Sequence, residues 1–234
     1  MLTIAKYEAI QMLRDPLVII MSTVMPLGMA GFLYWQIGDV DISPVAAMIP
    51  FIMGAFVVYG AAVTALASRR QNLFLKRLRC TAESDAGIVL GLVSTLVLLA
   101  VIEAVGVLAV FAVLQTPPAN ILLTVVVGIL VLALYVGFAL ATAGFTKSAD
   151  SAQVTTIPVA MGLIGIATWV MVTGTETLTG LKLALPGGAA VELALGAWRG
   201  IEWADAAIPM LITLVWTAIA FLAAKVFFKW EPRR

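Results

Sequence analysis

The order of apolar and polar positions along the chain predicts six membrane spans. A helix needs about 20 apolar residues to cross a hydrocarbon layer roughly 30 Å thick. Six stretches meet that length: Leu17–Trp35, Pro44–Ala67, Ala86–Leu114, Ala119–Phe145, Ala152–Val172 and Ala206–Phe228. The fifth contains Pro158, which a membrane helix tolerates at a kink or near an end. No segment between spans on the side of the termini exceeds about 20 residues, so no soluble domain is expected.

Ahead of the first span the pattern changes to one of period 3.6. At about 100° per residue, Leu2, Ala5, Ala9, Met12 and Leu13 share one face, while Thr3, Tyr7, Glu8, Gln11, Arg14 and Asp15 take the other. This predicts an amphipathic helix over 1–15 lying in the membrane interface and turning inward near Asp15-Pro16. No signal-peptide pattern with a small-residue cleavage site opens the chain, so this segment is expected to be retained.

The stretch 174–205 fits neither a span nor an ordinary loop. It reads L-A-L-P-G-G-A-A-V-E-L-A-L-G-A-W-R-G at its centre, yet Lys182, Glu192, Arg199, Glu202 and Asp205 interrupt it. One or two short helices over 177–200, re-entering the outer leaflet between spans five and six, are predicted, with the break at Pro186-Gly187-Gly188. A seventh span would place the basic C-terminal tail outside.

Composition agrees and narrows the chemistry. The chain is 62% hydrophobic and 12% charged, with a mean hydropathy of +1.09, whereas soluble proteins are about half apolar and a quarter charged. Histidine is absent, which removes His-based acid–base catalysis and His-ligated metals. The one cysteine, Cys80, rules out an intramolecular disulfide and a cysteine-cluster metal site. No metal site is expected. The nearest approach to a phosphate-binding loop, Gly144-Phe145-Thr146-Lys147-Ser148, lacks the glycine before lysine and a preceding strand. Catalysis by this chain is therefore not expected, and any ATP chemistry must come from another polypeptide.

Charge decides orientation. With the N-terminus inside, twelve cations fall on the inner side: Lys6, Arg14, Arg69, Arg70, Lys76, Arg77, Arg79, Lys147, Lys225, Lys229, Arg233 and Arg234. Only Lys182 and Arg199 fall outside. Both termini are expected in the cytoplasm. Within the spans, Glu103 is the one deep ionisable residue, and an intramembrane carboxylate is a candidate proton, cation or substrate site because burying it charged is costly.

The connector S-R-R-Q-N-L-F-L-K-R-L-R-C, Ser68 to Cys80, interleaves cations with Leu73, Phe74, Leu75 and Leu78. In a helix Phe74 and Leu75 both neighbour Leu78, at spacings of four and three. Three readings fit: a basic loop obeying the orientation rule, a helix on anionic lipid headgroups, or a short helix whose apolar side chains enter a cleft on a cytoplasmic partner.

The chain resembles the membrane subunit of ABC-2-type transporters, in particular the small bacterial drug-export permeases of the daunorubicin-resistance kind. The resemblance rests on order. An opening amphipathic segment with Arg14 and Pro16 comes first. R-R-Q-N-L-F-L-K-R-L-R-C-T-A-E-S follows span two, and L-P-G-G-A-A-V-E-L-A-L-G-A-W-R-G precedes span six. Against the family's R-E-x-G-T-L-x-R-L-R-x-T-P, Arg70, Leu75, Arg77, Leu78, Arg79 and Thr81 match, while Gln71, Leu73, Phe74 and Ala82 depart.

The resemblance implies an all-α polytopic ABC-2 exporter fold in a bacterial inner membrane. It implies a second permease subunit, the same chain or a paralogue, and two ATP-binding subunits that hold ATP and Mg, with no cofactor in this chain and no nucleic-acid partner. The segment 69–82 would be the coupling helix, with Arg70, Leu75, Lys76, Arg77, Leu78 and Arg79 meeting the ATPase. Phe56 and Tyr59 on span two, and Met161 and Trp169 on span five, are candidate cavity residues, since aromatics and methionine suit adaptable apolar recognition. The expected cargo is a small amphipathic or hydrophobic compound, an antibiotic for example. A lipid or glycan exporter, and an ion-coupled secondary transporter using Glu103, are the alternatives.

Overall fold

Apolar runs with no water to satisfy their backbone must close their own hydrogen bonds, and here they do so as helices. The computed structural model describes residues 19–38, 40–80, 84–228 and 230, with only the backbone of Met21. The interfacial helix predicted over 1–15, the start of the first span, and Thr81 and Ala82 of the connector lie outside the described residues.

Among the described residues the first helix, α1, carries a π-helical turn, Ile20–Val24, and continues as an α-helix, Met25–Ile37. After a short turn α2 runs Ser43–Gln71, with a π-helical segment Gly54–Gly60 four residues beyond Pro50. Proline has no N–H to give to the i−4 carbonyl, and such interruptions are a recognised origin of helix distortion. The short α3, Phe74–Arg79, follows, and then the long α4, Asp85–Leu114, α5, Ile121–Phe145, and α6, Ala149–Thr173. Two short helices, α7 (Thr179–Ala184) and α8 (Gly188–Arg199), precede α9 (Trp203–Phe227). Among the described residues, α2, α4, α5, α6 and α9 are long and apolar enough to cross a membrane.

Helix starts follow the side chains that can hold them. The Ser84 hydroxyl accepts from the Gly87 amide and the Asn120 side chain from the Leu123 amide. Ser148 and Ser151 form a reciprocal capping box at α6, so Gly144–Ser148 is the end of α5 and the cap of α6 rather than a phosphate-binding loop. Thr213 donates its hydroxyl to the Pro209 carbonyl one turn earlier in α9, the way a threonine inside an apolar helix satisfies its own polar group.

The core is built around α2. Some 83% of its apolar stretch is buried, against 17–39% for α4, α5, α6 and α9, so α2 is the central helix and the others surround it. The most extensive helix pair is α5 with α9. It is made possible by small residues: Gly137 stands against Ala220 and Gly144 against the Phe227 carbonyl. The mostly buried α8 packs on α2, α5, α6 and α9. Its terminal carbonyls are met by the loop before α5, with Ala119 N–H on Trp198 O at 3.0 Å and Asn120 N–H on Ala197 O at 2.9 Å. Gly187, at φ 91°, makes the left-handed turn between α7 and α8 that a side chain would strain.

The two ends of the bundle differ in charge. One end gathers Arg69, Arg70, Lys76, Arg77, Arg79 and Lys147. The other carries Lys182 and Arg199, and each is engaged within the chain. The Arg199 guanidinium donates to the Asp41 carboxylate at 2.9 Å and to the Ser43 hydroxyl at 2.7 Å, tying the end of α8 to the start of α2. Burial pushes the Asp41 carboxyl up, but the Ser43 hydroxyl and amide together with Arg199 outweigh it and hold it below the usual carboxylate range. A depressed folded-state pKa contributes stability that is present above the unfolded value and lost as pH falls through the folded one. Asp41→Asn is therefore expected to cost about 1 kcal/mol or less at pH 7, since the pair is half-exposed. Thermal unfolding of the variant between pH 5 and 3 should show a weaker loss of stability than the parent; an identical acid profile would contradict this.

Candidate functional site

The connector does not form one helix. α2 continues past its predicted end at Ala67 to Gln71, carrying Arg69 and Arg70 in its last turn, where cations complement the helix C-terminus. Leu73 then adopts a left-handed conformation, φ 57°, reversing the chain into α3. For an L-residue with a branched side chain that conformation costs about 1–2 kcal/mol.

This turn sorts the predicted coupling residues into two groups. Arg70 is corrected: it is 2% exposed, so it has no surface to offer a partner. Its guanidinium donates to the Ala143 carbonyl at 2.8 Å and to the Thr146 carbonyl, closing the C-terminal end of α5. Leu75 is corrected likewise. It is fully buried in a cluster with Leu66, Ile88, Leu92 and Ala143, against which Leu78 is half-buried, and it fastens α3 to the bundle. Arg79 is exposed but engaged, bridging Asp85 at 2.9 Å with its guanidinium 5.0 Å from the Trp230 ring.

What faces outward is only part of the set the sequence pattern suggested. Leu73 is 49% exposed and Phe74 38%, beside exposed Lys76 and Arg77, and an open cleft is lined by Asn72, Leu73, Lys76, Arg77 and Cys80. Two of the positions that depart from the family pattern, Leu73 and Phe74, thus provide the apolar part of this surface. No residue spacing marks that choice, because it follows from the left-handed turn.

The four candidate cavity residues are not brought together. Tyr59 is corrected: it is fully buried, its hydroxyl 2.9 Å from the Thr142 hydroxyl of α5 and its ring tilted 6.2 Å from Tyr135. It packs α2 on α5 and lines no open space within the chain. Phe56 is half-buried against the core. Met161 is 64% exposed on the outer face of α6. Trp169 is half-buried with the Lys182 ammonium 5.3 Å from its ring, and that ammonium also donates to the Gly174 carbonyl at 2.6 Å. Lys182, read from sequence only as an outside cation, is 1% exposed and tethers α7 to the end of α6.

Glu103 is 7% exposed and lies on the inward stripe of α4 with Leu96, Ala100 and Phe111. Neither carboxylate oxygen has a hydrogen-bond partner. Thr23 of α1 faces it in a polar interaction that falls short of normal hydrogen-bond geometry.

Long apolar helices around a central one, with a basic, partly apolar surface at one end, define a multi-pass membrane protein. A family model, the ABC-2 type transporter, matches residues 1–171, and the chain belongs to that family. It is accordingly a permease subunit, a membrane transport component, and the family implies an ATPase partner. The match ends in α6, ahead of the two short helices and α9. No curated protein matches the chain significantly.

Proposed function

We propose that this permease exports a small amphipathic or hydrophobic compound, with a drug or antibiotic as the natural case, driven by ATP hydrolysis in two partner subunits bound at the basic end. The observation that carries the reading is the surface of α3. Leu73 and Phe74 stand exposed in a strained turn while Leu75 and Arg70 hold the same segment rigidly to the bundle. An apolar pair held out from a fixed base, ringed by cations, is what docking into a cleft requires, because little ordering entropy remains to be lost on binding. The basic end then lies in the cytoplasm, in keeping with the positive-inside rule, in the inner membrane of a bacterium. A second permease subunit covers part of the outer faces. Phe56 and Met161 are the residues left available to a shared substrate path.

The test is reconstitution with the ATP-binding partner in proteoliposomes. ATP-dependent movement of an amphipathic dye is expected from the parent complex. Phe74→Asp should weaken partner binding on the order of 10- to 100-fold, as at interface anchors, and lower dye-stimulated ATP turnover in proportion. The melting temperature of the permease should stay within about 2 °C, because Phe74 is not part of the core. Unchanged binding and turnover in that variant would remove α3 from the interface.

A further inference from the structure

Among the described residues, Glu103 has two buried side-chain polar atoms that close no hydrogen bond. It sits on the stripe of α4 that faces the core, 93% shielded, with both oxygens lacking a hydrogen-bond partner. Among the described residues no cation is paired with it. A buried carboxylate without a counter-charge is costly when ionised, and a neutral one needs an acceptor for its proton. Thr23 is the polar side chain turned toward it from α1, and its neutral hydroxyl supplies no charge to balance the carboxylate.

The backbone around it is also irregular. The π-helical turn of α1 and the π-helical segment of α2 pack against each other, and the α2 segment packs on α4. π-Helical insertions concentrate at functional positions. At about 1.5 Å per residue, Glu103 lies roughly 16 Å below Leu114 and Phe56 roughly 20 Å below Ser43. Leu114 and Ser43 share the end of the bundle opposite α3, so the carboxylate and a half-buried aromatic lie at similar depth on neighbouring helices. A carboxylate with an aromatic face at its level is chemistry suited to an organic cation.

We infer that Glu103 is the recognition site for a cationic headgroup, so that the compounds exported are lipophilic amines or related organic cations. This rests on the exporter reading and specifies its substrate. The charge on the compound supplies what the carboxylate lacks, and the carboxylate in turn neutralises the compound at its own depth within the apolar layer.

The experiment is equilibrium dialysis of the permease–ATPase complex in lipid nanodiscs, with empty nanodiscs as blank. The probes are tetraphenylphosphonium and the neutral triphenylphosphine oxide. Glu103→Gln is expected to weaken phosphonium binding about tenfold, equivalent to one order in Kd, and to leave the oxide within about twofold. Glu103→Asp should restore much of the difference, and melting curves of both variants check that the fold survives. Glutamine imitates a protonated acid, so a Glu103 that merely holds a proton gives the same phosphonium-to-oxide ratio in parent and variant, which overturns the proposal. No saturable phosphonium binding to the parent overturns it too. ATP-driven dye transport measured alongside separates the two levels: transport with an unchanged ratio sinks the cation site alone, and no transport sinks the exporter reading.

Discussion

Arg70→Met is expected to destabilise the permease by several kcal/mol, although position 70 belongs to a segment that reads as a basic surface loop. The guanidinium is buried at the junction of α2, α5 and α6. It satisfies the carbonyls of Ala143 and Thr146, groups at the end of α5 with no intrahelical partner of their own. Thr146 is itself buried, and its hydroxyl sits 2.9 Å from that of Thr155 on α6, so this one residue joins the arginine of α2, through its carbonyl, to α6, through its hydroxyl. Methionine restores the apolar volume but leaves two buried acceptors open, at about 1–3 kcal/mol each. The melting temperature in detergent should fall on the order of 5–10 °C. Arg70→Lys should recover only part of this, because a point ammonium cannot span two carbonyls as a planar fork does. Arg77→Met, on the exposed face of α3, serves as the comparison and should shift the midpoint by no more than about 2 °C. A melt of Arg70→Met that matched the Arg77 variant would refute the structural role and return Arg70 to the docking surface.

The second large effect concerns a single methyl group. In Gly144→Ala the new Cβ would lie 2.1 Å from the Phe227 carbonyl oxygen and 2.6 Å from its carbon. Both are backbone atoms, which cannot rotate aside, so α5 and α9 must part where the Phe145 and Phe227 rings also pack, with centroids 4.6 Å apart. Overpacking of this kind costs about 1–3 kcal/mol or more. Gly128 lies on the same helix with nothing within 4 Å of its would-be Cβ. Gly128→Ala should therefore be neutral or slightly stabilising, as alanine is the better helix former. Thermal unfolding of the pair settles the point: equal midpoints would mean that the α5–α9 seam is looser than the geometry requires.

Much of this architecture is legible in the residue order. Length and apolarity alone locate the stretches that become α2, α4, α5, α6 and α9, within a few residues at most ends. Pro186-Gly187-Gly188 marks the break between α7 and α8, since Gly187 is where a left-handed turn is cheap. The candidate site was legible only as a region. Ser68 to Cys80 stood out by charge, and its apolar residues suggested contact with a partner. Which of them point outward did not follow, because the chain turns left-handed at Leu73, between the end of α2 and α3. That turn buries Leu75 and exposes Leu73 and Phe74.

The division has one physical cause. Water sorts side chains by polarity, and so length, charge bias and hydropathy determine from sequence that the chain spans a membrane and which end is basic. Lipid applies no such sorting, since an acyl chain and a protein core are equally apolar. On α4, Leu92, Leu96 and Ala100 are buried while Leu98, Ile102 and Val105 are exposed, and nothing in their chemistry separates them. Only packing decides which face turns inward. In doing so it made Arg70 a tie between helices, Tyr59 a core residue, and Glu103 a carboxylate without a partner.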